Sequence, residues 1–265
     1  RLQGIYDLSE KKPSNNTRDD IECIGDIKLR NLTYYYDGDE KPAIDDISLD
    51  IAPGKMIGLH GGDRCGKSTL VKLIIGDMAP TSGTLKIDGR EISGPERDRI
   101  IGEIAYVPQY SEIFTGTILE NITMFQTGET IDAAREAARL LGLEADIHRL
   151  PEGYDTQLSE GIGDELPMGM MQRITIARSI ARKPRILLFD EANSSLDSRA
   201  DKLLRQAFLE LKGNVTIVLV SHRPSLLRLC DHIYELDRGE IKSAVAGEQT
   251  TETSTDQAQK QGVAT

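Results

Sequence analysis

Gly61-Gly62-Asp63-Arg64-Cys65-Gly66-Lys67-Ser68 is the stretch that decides the reading of this chain. It fits the spacing G-x-x-x-x-G-K-S/T. A short apolar run, Met56 to His60, leads into it, and an apolar stretch from Thr69 to Ile75, stopped by Gly76, leads out. Strand, tight loop and helix in that order make a phosphate cradle. Glycines let the backbone turn its N–H groups inward onto an anion, and the helix N-terminus adds its partial positive charge. Lys67 would reach β- and γ-phosphates as a point charge, and the Ser68 hydroxyl suits Mg²⁺. The competing reading is an incidental strand–turn–helix. With glycine at roughly 7% of residues, chance produces such a match in on the order of 1% of chains this long.

Working outward, Arg185-Ile186-Leu187-Leu188-Phe189-Asp190-Glu191 is an apolar run ending in two acids. Asp190 at the end of a buried strand would face Mg²⁺, and Glu191 beside it would polarise an attacking water. A solvated acidic turn is the alternative. Val215 to Val220 is a second such run, followed by Ser221-His222. A histidine at a strand end is often structural. His222 would sit beside the γ-phosphate only if the two strands are neighbours in a parallel sheet, where ligands gather at the carboxyl ends.

Composition sets the bounds. The 265 residues suffice for one large α/β domain or two small ones. Lys plus Arg number 32 against 43 Asp plus Glu, a net charge of −11. Nucleic-acid binding through the overall field is therefore not expected, and any anionic ligand needs a local site. Cys23, Cys65 and Cys230 are too few and too scattered for a disulfide framework or a zinc cluster. No apolar run has the length of a membrane-spanning helix and no signal peptide opens the chain. The chain does not begin with Met and reads as part of a longer polypeptide.

Residues 1–25 are polar and read as a linker or lead-in. A Thr-, Gln- and Ser-rich tail, 243–265, is expected to be disordered. Between them, Ile27 to Tyr36 and Thr84 to Ile87 read as strands, the latter running into an Asp88-Gly89 hairpin turn. Ile131 to Leu141 reads as an amphipathic helix ending at Gly142. An α/β core carrying a helical insertion over about 109–182 accounts for this order.

The motifs, in this order and spacing, resemble an ATP-binding cassette (ABC) ATPase, the nucleotide-binding domain of ABC transporters, over residues 26–242. The resemblance implies a P-loop NTPase fold with an antiparallel β subdomain and a helical subdomain, binding ATP and Mg²⁺. It implies phosphate contacts from Gly61, Gly62, Asp63, Arg64, Cys65, Gly66, Lys67, Ser68 and Thr69, and metal contacts from Ser68, Gln109 and Asp190. Catalysis would rest on Glu191, His222, Gln109 and Lys67. Tyr36 of Leu32-Thr33-Tyr34-Tyr35-Tyr36 resembles the aromatic that stacks on adenine, with Tyr34 and Tyr35 as neighbouring candidates. Ala105-Tyr106-Val107-Pro108-Gln109 resembles the Q-loop. Ser195-Leu196-Asp197 resembles the D-loop, where Asp197 would report across a dimer interface or cap a helix. Phe114 to Ile122 resembles exporter-type half transporters, best of all peptide, bacteriocin or type I protein secretion. A second nucleotide-binding domain, a transmembrane domain in the same polypeptide and the cytoplasmic face of the inner membrane follow as expectations.

Three departures stand out. The family's L-S-G-G-Q signature reads Leu166-Pro167-Met168-Gly169-Met170, placed by the resemblance of Gln172-Arg173-Ile174 to the helix that follows it. Pro167 removes the serine hydroxyl and would fit a first helical position, while Met168 adds bulk where close backbone approach is wanted. Arg64 stands where the family has glycine. The coupling-loop candidate, Glu160-Gly161-Ile162-Gly163, has its acid one place early. Intact Glu191 and His222 beside an altered signature fit either a heterodimer or a homodimer that tolerates the variant. An ATP-sensing domain, a soluble non-transport ABC ATPase and a small P-loop kinase are the other readings.

Overall fold

A computed structural model describes residues 23–92, 97–158 and 166–247. Most of the expected lead-in, the Glu160 to Gly163 candidate and the chain beyond 247 lie outside the described residues. In chain order the strands are β1 (Ile27–Tyr34), β2 (Ile44–Ile51), β3 (Met56–His60), β4 (Ser82–Ile87), β5 (Arg90–Glu91), β6 (Ile104–Val107), β7 (Gly116–Thr117), β8 (Gln157–Leu158), β9 (Ile186–Asp190), β10 (Thr216–Val220), β11 (His232–Asp237) and β12 (Glu240–Ala246). The helices are α1 (Lys67–Ile74), α2 (Arg97–Gly102), α3 (Ile118–Thr123), α4 (Glu129–Leu140), α5 (Glu144–Ile147), α6 (Met168–Ala181), α7 (Ser198–Leu211) and α8 (Pro224–Leu227).

The central sheet runs β12-β11-β3-β10-β9-β6. It is parallel from β11 to β6, with β12 antiparallel at the edge. Alternate residues of its strands feed two different cores. Leu187, Phe189, Ile217 and Leu219 pack with α3, α4, α6 and α7, while Ile186, Leu188, Val218 and Val220 pack with α1, β1 and β2. Burial on both faces is why these strands read as unbroken apolar runs. All five residues of β9 and of β10 are buried.

The second sheet, β2-β1-β4-β5, is antiparallel. Its β4–β5 turn holds Asp88 at φ 50° and Gly89 at φ 76°. Two successive left-handed residues make the tight hairpin that Asp-Gly favours. The β1 strand stops at Tyr34, two residues short of expectation. Tyr34 O accepts from Ala43 N at 2.8 Å, and Tyr36 O accepts from Asp39 N at 3.1 Å, so Tyr35 and Tyr36 belong to the connecting loop. The tail also begins later than expected. Ser243 to Ala246 pair with β11, and Ser243 Oγ donates to Glu235 at 2.9 Å. At the other end, Cys23 Sγ and the N–H groups of Ile24 and Gly25 donate to Asp88, which ties the end of the lead-in to the hairpin turn.

Between Gln109 and Arg182 the described residues form α3, α4, α5 and α6, plus a β7–β8 ladder that the sequence did not announce. The α6 helix is the hub. It packs against both α3 and α4, and ten of its fourteen residues are buried. Its buried cation, Arg178, donates to Asn121 O at 2.7 Å, Glu112 O at 2.9 Å and Asn121 Oδ1 at 2.9 Å. Its guanidinium also lies 4.4 Å from the centre of the Phe114 ring. This one side chain ties α6 to α3 and to the segment that follows Gln109.

Candidate functional site

Four loops meet at the carboxyl end of the parallel sheet. The phosphate loop leaves β3, His222 follows β10, Glu191 follows β9 and Gln109 follows β6. The strands β3, β10 and β9 are adjacent, and Val220 is in register with Asp190. The condition set for His222 is therefore met: its strand and that of Asp190 are parallel neighbours.

The loop itself depends on two glycines. Gly61 has φ 149°, and a Cβ there would lie 2.1 Å from Leu236 O. Gly66 has φ 111°, and a Cβ there would lie 2.6 Å from Ala43 O. No other residue satisfies both the backbone angle and the space. Gly62, by contrast, faces open space. Arg64 takes φ 59° in the same loop, a left-handed conformation costing a non-glycine residue about 1–2 kcal/mol. The angle accounts for the glycine that the resemblance led us to expect there.

Lys67, 6% exposed, donates to Gly61 O at 3.0 Å and Gly62 O at 2.9 Å. Its Nζ is 4.0 Å from Glu191 Oε1. The same Oε1 lies 3.0 Å from His222 Nε2, and Gln109 Nε2 donates to the other carboxylate oxygen at 3.3 Å. Glu191 sits at φ 51°. Such strained backbone persists where its surroundings hold it, and it concentrates at functional sites. One carboxylate thus gathers the lysine, the histidine and the glutamine.

Asp190 is 4% exposed and hydrogen-bonded to Ser68. Tyr106, which lies in the Q-loop run and carries no sequence signal of its own, donates to it at 3.5 Å. Burial pushes the Asp190 carboxyl above its ordinary range, against the pull of Ser68. Burial and then the Asp190 charge push the Tyr106 hydroxyl up to about 12. A buried carboxylate bonded to the hydroxyl of Ser68, which lines the cleft, offers hard oxygen ligands that suit Mg²⁺ completed by phosphate and water. Among the described residues no three His, Cys, Asp or Glu side chains converge as a cage of their own. The residues present therefore fit a cation that arrives with a phosphate ligand.

Because Asp190 is raised, the folded state holds its proton more tightly than the unfolded state. Its ionisation then costs stability as pH rises above the ordinary carboxyl range. Asp190→Asn is expected to raise the melting temperature of the nucleotide-free chain at pH 7 and to weaken Mg-dependent ATP binding. Thermal melts with and without Mg-ATP check both parts. An unchanged or lower apo melting temperature would contradict the burial argument.

The cleft has a volume of about 600 Å³, within the usual range for ligand sites. Tyr36, Asp63 to Thr69, Gln109 and Glu191 line it, as do Asp39 and Lys41, which no sequence motif picks out. Geometry separates the neighbouring tyrosines. Tyr36 lines the cleft with its hydroxyl 3.0 Å from Thr69 Oγ1, while Tyr34 packs edge-on against it at 5.1 Å. Cys65 is 5% exposed, with Sγ 3.8 Å from Lys67 Nζ, and fills the space behind the loop.

The variant signature opens α6. Leu166 is buried, and Pro167 caps the helix at φ −55°, ψ 137°, one position earlier than expected. A cap needs no N–H of its own, so proline is tolerated, but no side chain caps the first turn. Met168 is 67% exposed and Met170 is buried in the core. Gly169 packs against the chain after β9: a Cβ there would lie 3.0 Å from Ser195 O. Gln172, also missed, is buried and accepts from Ser195 N at 3.0 Å. In the sequence Gln172 serves only to place the helix and has no contact of its own assigned. Asp197 caps α7, its Oδ1 accepting from Ala200 N at 2.8 Å, and that bond holds its carboxyl below the usual range.

A phosphate loop between a buried parallel strand and its helix, with a carboxylate pair and a histidine delivered by two neighbouring strands, defines a P-loop NTPase. The chain belongs to the ABC transporter family: the profile described as "ABC transporter" matches residues 44–194. A "Probable ABC transporter ATP-binding/permease protein" of Haemophilus influenzae is 34% identical over 222 residues, 84% of this chain and 40% of that protein. The "Alpha-hemolysin translocation ATP-binding protein HlyB" of Escherichia coli O157:H7 is 35% identical over 233 residues, 88% of this chain and 32% of that one. Among solved structures, that of "a bacterial Atm1-family ABC exporter with ATP bound" matches with a TM-score of 0.79 and 30% identity, covering 84% of this chain and 39% of that one. The chain thus spans 32–40% of the length of these relatives. No helix among the described residues is long and apolar enough to cross a membrane.

Proposed function

We propose that this chain is the ATP-hydrolysing motor domain of an ABC exporter. The observation that carries the reading is the convergence of Lys67, Gln109 and His222 on the carboxylate of Glu191, beside a loop built to hold phosphate. Loop N–H groups and Lys67 bind the β- and γ-phosphates, and Tyr36 stacks on the base. Ser68 and Asp190 hold Mg²⁺, with Gln109 reaching toward it. When bound, the ion neutralises charge that develops on the transferring phosphoryl group. Glu191 accepts a proton from the water that attacks in line with the leaving oxygen. His222 donates to Glu191 in the resting cluster and turns to the γ-phosphate oxygens as the water attacks.

The signature at the start of α6 and Asp197 at the start of α7 face a second nucleotide-binding domain. ATP closes the pair head to tail, and hydrolysis reopens it. A transmembrane domain fused in the full-length polypeptide takes up that motion at the cytoplasmic face of the inner membrane. Peptide or protein export is the finer reading of the cargo. The altered signature also supports a second reading, an ATP sensor with impaired turnover.

Steady-state ATPase rate per molecule against protein concentration tests the proposal. A specific rate that rises with concentration supports a productive homodimer. Nucleotide binding with no turnover at any concentration, alone or mixed with a second ABC ATPase domain, favours the sensor.

A further inference from the structure

Arg64 is exposed and lines the phosphate cleft, yet it meets no carboxylate or other hydrogen-bonding partner among the described residues. Its backbone is left-handed at φ 59°, where glycine would sit without strain. A strained position that keeps a long, unpaired cation inside an anion site points to a contact with the anion. The chain carries a net charge of −11, so a polyphosphate depends on local cations. Arg64 lies two residues beyond Gly62, whose carbonyl holds Lys67 Nζ beside Glu191. It lines the same cleft as Lys67 and Glu191.

The same sequence lacks donors elsewhere. Pro167 offers no hydroxyl at the start of α6, and exposed Met168 adds bulk there. We propose that Arg64 contacts the terminal phosphate of a nucleoside triphosphate, so that the site prefers triphosphate over diphosphate. In a pair of identical chains this contact also offsets what the variant signature of the opposite copy withholds. A planar guanidinium can grip two phosphate oxygens at once, a geometry that neither lysine nor a backbone N–H reproduces. The inference rests on the phosphate-loop reading under Proposed function. It adds to that reading a residue that selects the nucleotide and a reason why two departures occur in one chain.

The test compares binding of ADP and of a non-hydrolysable ATP analogue, both with Mg²⁺, by titration calorimetry on the purified chain. Arg64→Gly suits the backbone angle, so its melting temperature should equal or exceed that of the parent. Its affinity for ADP should stay within about twofold, while affinity for the analogue should fall by about tenfold or more, the scale of one lost charge-assisted contact. Arg64→Lys should recover part of that preference. In the Arg64→Gly background, Pro167→Ser should restore part of the lost turnover. An unchanged preference for the analogue, or an equal loss for both nucleotides, overturns the terminal-phosphate contact. No gain from Pro167→Ser overturns the compensation between copies. If the parent chain binds neither nucleotide, the phosphate-loop reading itself fails, which is distinguishable from every other result.

Discussion

Glu191→Gln should lower steady-state ATP turnover by about a hundredfold or more while leaving ATP binding intact, the range associated with losing a positioned general base. The substitution keeps the side chain's length and its ability to accept from His222 Nε2, which sits 3.0 Å from Oε1. It removes the negative charge that a water proton would move to. It also removes a carboxylate 4.0 Å from Lys67, so the lysine is released toward phosphate and binding should not weaken. If closure of two chains waits on hydrolysis for reopening, the variant should accumulate as an ATP-dependent dimer in size-exclusion chromatography. Near-normal turnover would remove Glu191 from the base role. Weakened ATP binding would show that the carboxylate serves the ground state instead.

Arg178→Leu should cost the fold about 3 kcal/mol, seen as a drop of about 10 °C in melting temperature. Two opposing effects decide the sign. Burial lowers the Arg178 pKa to about 10, so holding this cation away from water carries a penalty that leucine would relieve. By that shift the penalty is about 3 kcal/mol. Against it stand three bonds from a charged donor, each contributing about 1.5–3 kcal/mol, and the stacking on Phe114. The bonds win, because leucine strands two carbonyls and leaves Asn121 Oδ1 with Phe114 N alone. Arg178→Lys reaches fewer of these acceptors and should fall between parent and leucine variant. A melting temperature unaffected by leucine would show that water replaces the arginine without loss.

The strand ends that deliver the candidate site were legible because their physics is local. A buried parallel strand demands consecutive apolar residues, so Ile186 to Phe189 and Val215 to Val220 announce themselves, and the residues just after each run must emerge at the ligand end. The phosphate loop was legible because φ angles near 150° and 111° admit only glycine at 61 and 66. The helical block carried its own 3.6-residue period. Contacts between elements far apart in sequence left no such trace. Arg178 meets Asn121 across 57 residues and Tyr106 meets Asp190 across 84, and neither partner's surroundings repeat with any period. Strands β11 and β12 were missed for another reason. β12 is the edge strand and β11 the next one in, and each has at most one buried residue, so their side chains do not follow the apolar pattern of the interior. Pro167 was read as the first helical residue because proline fits there, but the helix begins one residue later.

Gln172 accepts from Ser195 N, and a Cβ at Gly169 would press on Ser195 O at 3.0 Å. The start of α6 and the turn leading to Asp197 are thus fastened to each other inside one subunit, before any second subunit arrives. Changes made separately in these two patches should not add when dimer affinity is measured, because displacing one displaces the other. In the proposed pair, the facing surface of the second domain would have to accommodate both patches as one joined shape. A change tolerated in one patch therefore depends on the residue standing in the other.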